Sequence, residues 1–399
     1  MLWLIAGQSA WAGAQWLLVL AATHWTSSAV VGLYALALGT STPIFRFFNS
    51  GFRLYATADI HDRFDRRAYV NGRLIGVTAA MLLSLGVWLL HAGVSGVALM
   101  AAVVLAKSAD ALSDLTYGFS QKRSRFDRVG ISMIVRACLG LVVAVGMLAW
   151  TGSLGWAVLG MGVIWLSIFY VVDRRALEAE GETASTNKST HLYKRLAPLA
   201  FVAALASAFG YVPVYMLSNE SNSAAGVFAA INYLSMPITL LGVAWGQASI
   251  TSFALAAHDA RMMRDRIGPA AVLFIAAGGV AFALGWWLGP WLLESLYGPI
   301  YAEAAAALPW LLLAASVSCV STILSYASTA IDRLFWQPIL LAVAIGVVVV
   351  SGQVLIPSFG ITGAAVSLNL GYLVHAVMLA GHVFWCAAAA RAASASAEA

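Results

Sequence analysis

Five ionisable residues in the first half of the chain lie within otherwise apolar stretches: Arg46, Lys107, Asp110, Asp114 and Arg136. Lys107 is followed by Asp110, Asp114, Tyr117 and Gln121 at +3, +7, +10 and +14, a helical spacing that gathers them into one polar stripe. Arg46, Asn49 and Arg53 share a face just after Pro43. In an apolar medium such groups pair with one another, hold an anion, or take up a proton. Pairing of Lys107 with Asp110 and of Arg136 with Asp114 would lock helices together. Three cations against two anions leave at least one positive charge unmatched, and that surplus favours an anionic ligand.

The second half has no such charges but carries hydroxyl and amide faces: Asn232, Ser235 and Thr239, then Ser318, Thr322, Ser325 and Thr329. These suit sugar recognition, and they equally suit hydrogen bonds between helices. Tyr211 and Tyr215, one turn apart, could stack on sugar rings or form part of an interfacial aromatic belt. His375 and His382 lie a heptad apart with no carboxylate or Cys partner, so no metal site is indicated. Cys138, Cys319 and Cys386 fall in apolar stretches without paired spacing, which indicates neither disulfides nor a thiolate metal site. No phosphate-binding loop, nucleophile elbow or His-Glu-x-x-His pattern occurs, so ATP hydrolysis, hydrolase chemistry and a cofactor have no support, and an enzyme is not expected.

The elements that must position these residues follow from composition. Of 399 residues, 61% are hydrophobic and 10% charged, and the mean hydropathy is +0.86, which excludes a soluble enzyme. Apolar runs predict twelve membrane-spanning helices near 2–23, 29–53, 72–92, 95–119, 128–150 and 153–172, then 195–218, 223–256, 267–293, 302–330, 335–356 and 361–388. The first begins almost at Met1 without a basic leader region and reads as a helix of the mature protein. Lys107 then lies ~18 Å along the fourth helix, and Arg136 ~12 Å inside the fifth. A charge exposed to lipid at that depth costs on the order of 3 kcal/mol, so the five residues are expected to converge on a wet cavity.

With a cytoplasmic N-terminus, all but three of the 22 Lys and Arg residues fall in inner loops; the exceptions, Arg46, Lys107 and Arg136, lie within spans. The net charge of +5 therefore encodes orientation, not nucleic-acid binding. The connections on the outer side are short. The longest polar stretch, Asp173 to Arg195, reads as a cytoplasmic linker, which divides the chain into an N-terminal lobe (1–172), a linker (173–194), a C-terminal lobe (195–391) and a cytoplasmic tail (392–399).

The two lobes share a pattern. Gly32, Tyr34, Ala35, Pro43 and Ile44 in the second helix are matched by Gly226, Phe228, Ala229, Pro237 and Ile238 in the eighth. Each helix leads to a His-Asp pair, His61-Asp62 or His258-Asp259, and then to an Arg at the start of the next span, Arg73 or Arg266. Coincidence among Gly- and Ala-rich helices is the alternative. Six helices per lobe imply a repeat related by a pseudo-two-fold axis along the membrane normal, with a cavity between.

These features resemble the bacterial polysaccharide, or oligosaccharide-lipid, flippases, in the superfamily that also holds the multidrug exporters. The resemblance rests on Val31-Gly32-Leu33-Tyr34-Ala35; on Tyr117-Gly118, Gln121-Lys122-Arg123 and Phe126 ahead of Arg136; on Leu296-Tyr297-Gly298 with Tyr301 and Ala304-Ala305; and on Gly360-Ile361-Thr362-Gly363-Ala364-Ala365. It implies an all-α polytopic membrane protein of two six-helix lobes in a V-shaped exporter architecture, working by alternating access in the bacterial cytoplasmic (inner) membrane with both termini cytoplasmic.

By the same resemblance the cargo is a polyprenyl-pyrophosphate-linked oligosaccharide. Arg46, Lys107 and Arg136 would contact pyrophosphate or acidic sugar, and Asp110 and Asp114 would serve ion coupling or charge pairing. Asn49, Tyr211, Tyr215, Asn232 and Ser325 would face the glycan. Membrane lipid, a glycan polymerase and glycosyltransferases are the expected partners. A cation-coupled multidrug exporter is the alternative within the superfamily, disfavoured by surplus mid-membrane Arg and Lys and by first and seventh helices without a central carboxylate. A membrane-embedded glycan polymerase or transferase would need charged outer loops or an inner carboxylate cluster, and neither is present.

Overall fold

A computed structural model describes residues 2–49, 51–59, 64–175, 189–257, 259–331 and 335–398; the His61-Asp62 pair, His258 and most of the linker lie outside them. The described residues are helical, with no strand among them. The chain divides into two compact units, Met1–Ala208 and Phe209–Ala399.

Unit 1 comprises α1 (Leu2–Trp25), α2 (Ser28–Asn49), α3 (Phe52–Ala58), α4 (Arg66–Ala92), α5 (Val97–Lys122), α6 (Phe126–Thr151), α7 (Leu154–Ile168, continued by a π-helical turn at Phe169–Asp173) and the first turns of α8 (Ser189–Glu220). Unit 2 comprises the rest of α8, α9 (Asn222–Tyr233), α10 (Met236–Leu255), α11 (Ala260–Tyr297), the short α12 (Pro299–Ala302), α13 (Ala307–Ala330) and α14 (Trp336–Glu398).

Among the described residues, ten helices are long and apolar enough to cross a membrane. The polar stripe of α5 keeps it out of that set although its 26 residues would span ~39 Å. Within α14, Gly360 adopts φ 53° and ψ −130° and breaks the run in two, a backbone state that a residue with a Cβ resists. Counted so, the described residues supply the twelve expected spans. Bulky side chains of α11 such as Val272, Leu273, Val280, Trp286, Trp287 and Trp291 are exposed, the signature of a face that meets lipid.

Two expected spans are interrupted. The second ends at Asn49, where Gly51 at φ 86° turns the chain, so Arg53 lies on the separate helix α3 and not on α2. The eighth divides between Tyr233 and Met236, with Pro237 in the first turn of α10, where its missing N–H costs nothing. The N-terminal half tolerates the equivalent Pro43 inside a continuous α2.

The repeat persists in three dimensions. Gly32 and Tyr34 are buried, as are Gly226 and Phe228, each pair 194 positions apart. At the same interval Asp65 and Asp259 cap α4 and α11, accepting from the backbone N–H groups of Arg67 and of Arg261 and Met262. The interval also aligns buried Tyr69, Arg73, Gly76, Ala80 and Ser84 with buried Met263, Ile267, Ala270, Phe274 and Gly278. The true counterpart of Arg73 is therefore Ile267, while Arg266 is exposed on α11.

Tyr193, near the start of α8, donates to the carbonyl of Gly72 at 2.6 Å and stacks edge-on against Phe52. Burial pushes its hydroxyl up to about 12, so the donated proton is present throughout the neutral range.

Candidate functional site

The polar stripe of α5 organises unit 1, and each of its carboxylates is held by a different neighbour. Asp114 is clasped by two arginines: Arg53 Nη1 lies 3.3 Å from its Oδ1 and Arg73 Nη2 3.2 Å from its Oδ2. Arg53 also donates to Gln121 at 3.2 Å and lies over the Tyr117 ring. Arg73, only 1% exposed, donates to the carbonyl of Asn49 at 3.1 Å and stacks over Phe52. Two cations on one carboxylate, with one of them fully buried, tie α3, α4 and α5 together.

Asp110 takes the other arginine. Arg136, 1% exposed, brings Nη2 within 3.5 Å of Asp110 Oδ1, while Asp110 itself is 44% exposed. The Arg136 guanidinium lies against the packed pair Trp11 and Trp165, whose ring centres are 4.3 Å from each other and each 5.1 Å from it, and Trp165 donates to the Arg136 carbonyl at 3.0 Å. Arg136 Nη1 donates to Tyr117 Oη at 3.1 Å. Tyr117 in turn shares a 3.0 Å hydrogen bond with Ser132, whose hydroxyl donates to Asp173 Oδ1 at 2.6 Å. The expected partner of Arg136 was Asp114; at that level of the stripe Arg53 and Arg73 have taken its place.

Lys107 and Arg46 remain without an ion pair or hydrogen bond among the described residues. The charges acting on Lys107 are the carboxylate of Asp110 and, with repulsive sign, the guanidinium of Arg46. Lys107 is half-buried and Arg46 exposed. Beside them Asn49 is buried with both side-chain amide atoms unpartnered. Two cations without an ion pair, within reach of each other inside a membrane unit, form an anion-attracting surface.

Unit 2 carries the same stripe without charge. Buried Leu99, Met100, Ala106, Ser113, Leu115 and Thr116 of α5 recur 208 positions later as buried Ala307, Leu308, Ala314, Ser321, Ile323 and Leu324 of α13. In that register Asp110, Asp114, Tyr117 and Gln121 correspond to Ser318, Thr322, Ser325 and Thr329. Several of these hydroxyls bond within their own helix: Ser318 to the carbonyl of Ala315 and Thr329 to that of Ser325, which also accepts from Gln337. Ser235 similarly donates to the carbonyl and side chain of Asn232. Tyr211 is half-buried and Tyr215 exposed on α8. His375 is buried and bonded through Nδ1 to Ser321. No cluster of three metal-ligating side chains occurs among the described residues.

Trp11, Trp165, Ser132 and Asp173 belong to the Arg136 cluster, and sequence reasoning did not find them. Spacing relates residues on one helix, whereas these four come from α1, α6 and α7. Asp173, assigned from sequence to the start of the linker, is 6% exposed, because the π-helical turn at its position rotates it inward.

No protein-family model matches the chain. The capsular polysaccharide biosynthesis protein CapF of Staphylococcus aureus is 22% identical over 281 residues, 68% of this chain and 70% of that protein. Among solved structures, the lipid II flippase MurJ in an inward closed conformation superposes with a TM-score of 0.76 at 12% identity, covering 96% of this chain and 87% of MurJ. An outward-facing multidrug resistance MATE family transporter of the MOP superfamily gives a TM-score of 0.65 at 14% identity, covering 98% and 94%. The chain has the fold shared by the lipid II flippase and the MATE transporters of the MOP superfamily.

Proposed function

We propose that this protein moves a polyprenyl-pyrophosphate-linked oligosaccharide, a repeat unit of O-antigen, capsule or exopolysaccharide, from the cytoplasmic to the outer leaflet by alternating access. The observation that carries the reading is the pair Lys107 and Arg46, two cations without an ion pair among the described residues of a membrane unit. An ammonium and a guanidinium there match a pyrophosphate in charge, and a guanidinium also matches its geometry. The shared fold with a lipid II flippase and the sequence similarity to a capsular polysaccharide biosynthesis protein support the same cargo class.

In this reading Asp110 and Asp114 set the charge of the site through their arginines, and Asn49, Tyr211, Tyr215, Asn232 and Ser325 face the glycan. The lobes are 1–172 and 195–391, joined by a cytoplasmic linker at 173–194. The protein sits in the bacterial cytoplasmic membrane with both termini inside, and serves glycosyltransferases on one face and a polymerase on the other.

Export of a small cation is the second reading, favoured by the fold shared with multidrug transporters. A surplus of positive charge at Lys107 and Arg46 repels such a cargo. The deciding experiment deletes the gene and labels outer-leaflet glycan with a membrane-impermeant probe. Intact precursor confined to the inner leaflet, restored by the wild-type chain and not by Lys107→Ala, is expected. Normal outer-leaflet glycan in a strain without a redundant flippase would overturn the proposal.

A further inference from the structure

Asp173 is a buried carboxylate that the proposed transport cycle leaves without a task. It ends the π-helical turn after α7, a distortion that recurs at functional positions because it re-aims one side chain at no cost to the rest of the helix. Its Oδ1 accepts from Ser132, but its Oδ2 is buried with no hydrogen-bond partner. The Ser113 hydroxyl lies against it, also fully buried and without a formed hydrogen bond. A serine hydroxyl can donate to a carboxylate or accept from a carboxylic acid, so Ser113 can serve either state of Asp173, whose Oδ2 is buried with no formed hydrogen bond and no cation of its own.

From Asp173 a continuous polar chain runs through Ser132, Tyr117 and Arg136 to Asp110, with links of 2.6, 3.0, 3.1 and 3.5 Å. It joins a buried carboxylate at the cytoplasmic end of α7 to one that is 44% exposed. Arg136 holds two donor positions, Nε and Nη2, without a hydrogen bond, so its guanidinium is free to divide itself unequally between the two ends. The charged and titratable groups acting on Asp173 are Arg136 from α6 and Tyr117 from α5.

We propose that Asp173 is a proton-binding site, and that its protonation, relayed through Ser132, Tyr117 and Arg136, governs the positive charge presented beside Asp110. The proton enters from cytoplasmic water and bonds to Oδ2, and the new O–H donates to Ser113 Oγ. With Asp173 neutral, Arg136 is balanced by Asp110 alone and the cluster gains one positive charge, which strengthens its hold on an anion. By reciprocity, anion binding draws a proton onto Asp173. That consequence rests on the anionic cargo proposed above; proton binding itself does not.

The test is infrared difference spectroscopy of the purified protein in lipid nanodiscs, stepping the pH without cargo. A carboxylic-acid C=O band that appears on acidification should be lost in Asp173→Asn, larger at a given pH in Ser113→Ala, which removes a donor to the charged form, and retained in Asp110→Asn. A band that survives Asp173→Asn, or its absence from the wild-type protein across the range in which the protein stays folded, would overturn the proposal. If Asp173→Asn fails to fold, Ser113→Ala decides alone: an unchanged band counts against the assignment. Failure of the flippase reading would leave this spectrum unaltered, so the two outcomes are separable.

Discussion

Arg73 and Asp114 meet at 3.2 Å with the arginine 1% exposed, at positions whose counterparts in the repeat are Ile267 and Thr322. One half of the chain thus carries an ion pair where the other carries two uncharged residues.

Removing one partner should therefore cost far more than removing both. Asp114→Ala leaves a buried guanidinium without its carboxylate and should destabilise the protein by about 3–5 kcal/mol. The double variant Arg73→Ile with Asp114→Thr, which copies unit 2, should recover most of that loss. Thermal unfolding in detergent reads both, and a double variant no more stable than Asp114→Ala would contradict the structural equivalence.

Lys107 and Arg136 should separate in their effects. Lys107→Ala removes a side chain with no ion pair among the described residues, so the proposed flipping activity should fall at least tenfold with the melting temperature unchanged. Arg136→Lys should lose both activity and stability, because an ammonium cannot bond Tyr117 and Asp110 while packing on the Trp11–Trp165 pair as a planar guanidinium does. Equal melting temperatures for Arg136→Lys and wild type would argue against these contacts.

Helix α6 packs on α1 through Gly130, where an added Cβ would strike the backbone carbonyl of Trp3, while Gly146 on the same helix has open space. Gly130→Ala should lose about 1–3 kcal/mol through overpacking. Gly146→Ala should be neutral or slightly stabilising through helix propensity. Indistinguishable unfolding curves for the two would refute this helix contact.

Orientation is open to chemical labelling. With Cys138, Cys319 and Cys386 replaced, a cysteine at exposed Ser95 should react with an impermeant maleimide added to intact cells. One at exposed Arg123 should react only after permeabilisation. The reverse pattern would invert the topology derived from the basic residues.

Much of this was legible without coordinates. Hydrophobic run length marks spans because a bilayer satisfies no backbone group, and the polar stripe of α5 appears because helical spacing is local. The equivalence of Tyr34 and Phe228, and of Pro43 and Pro237, could also be read directly. The breaks at Gly51 and before Pro237 could not, since glycine and proline are tolerated within membrane helices when neighbours re-satisfy the backbone, as Pro43 shows. Partner choice was beyond reach for a related reason. Whether Arg136 meets Asp110 or Asp114 depends on the approach of α6 to α5, and Arg73 reaches Asp114 only because α4 begins two turns earlier than hydropathy indicates. The burial of Asp173 follows from a single π-turn that leaves no mark in composition. Charge type, depth and periodicity are properties of one segment and can be read from it; which charges neutralise one another, and which stay free to meet a ligand, is set by packing between segments far apart in the chain.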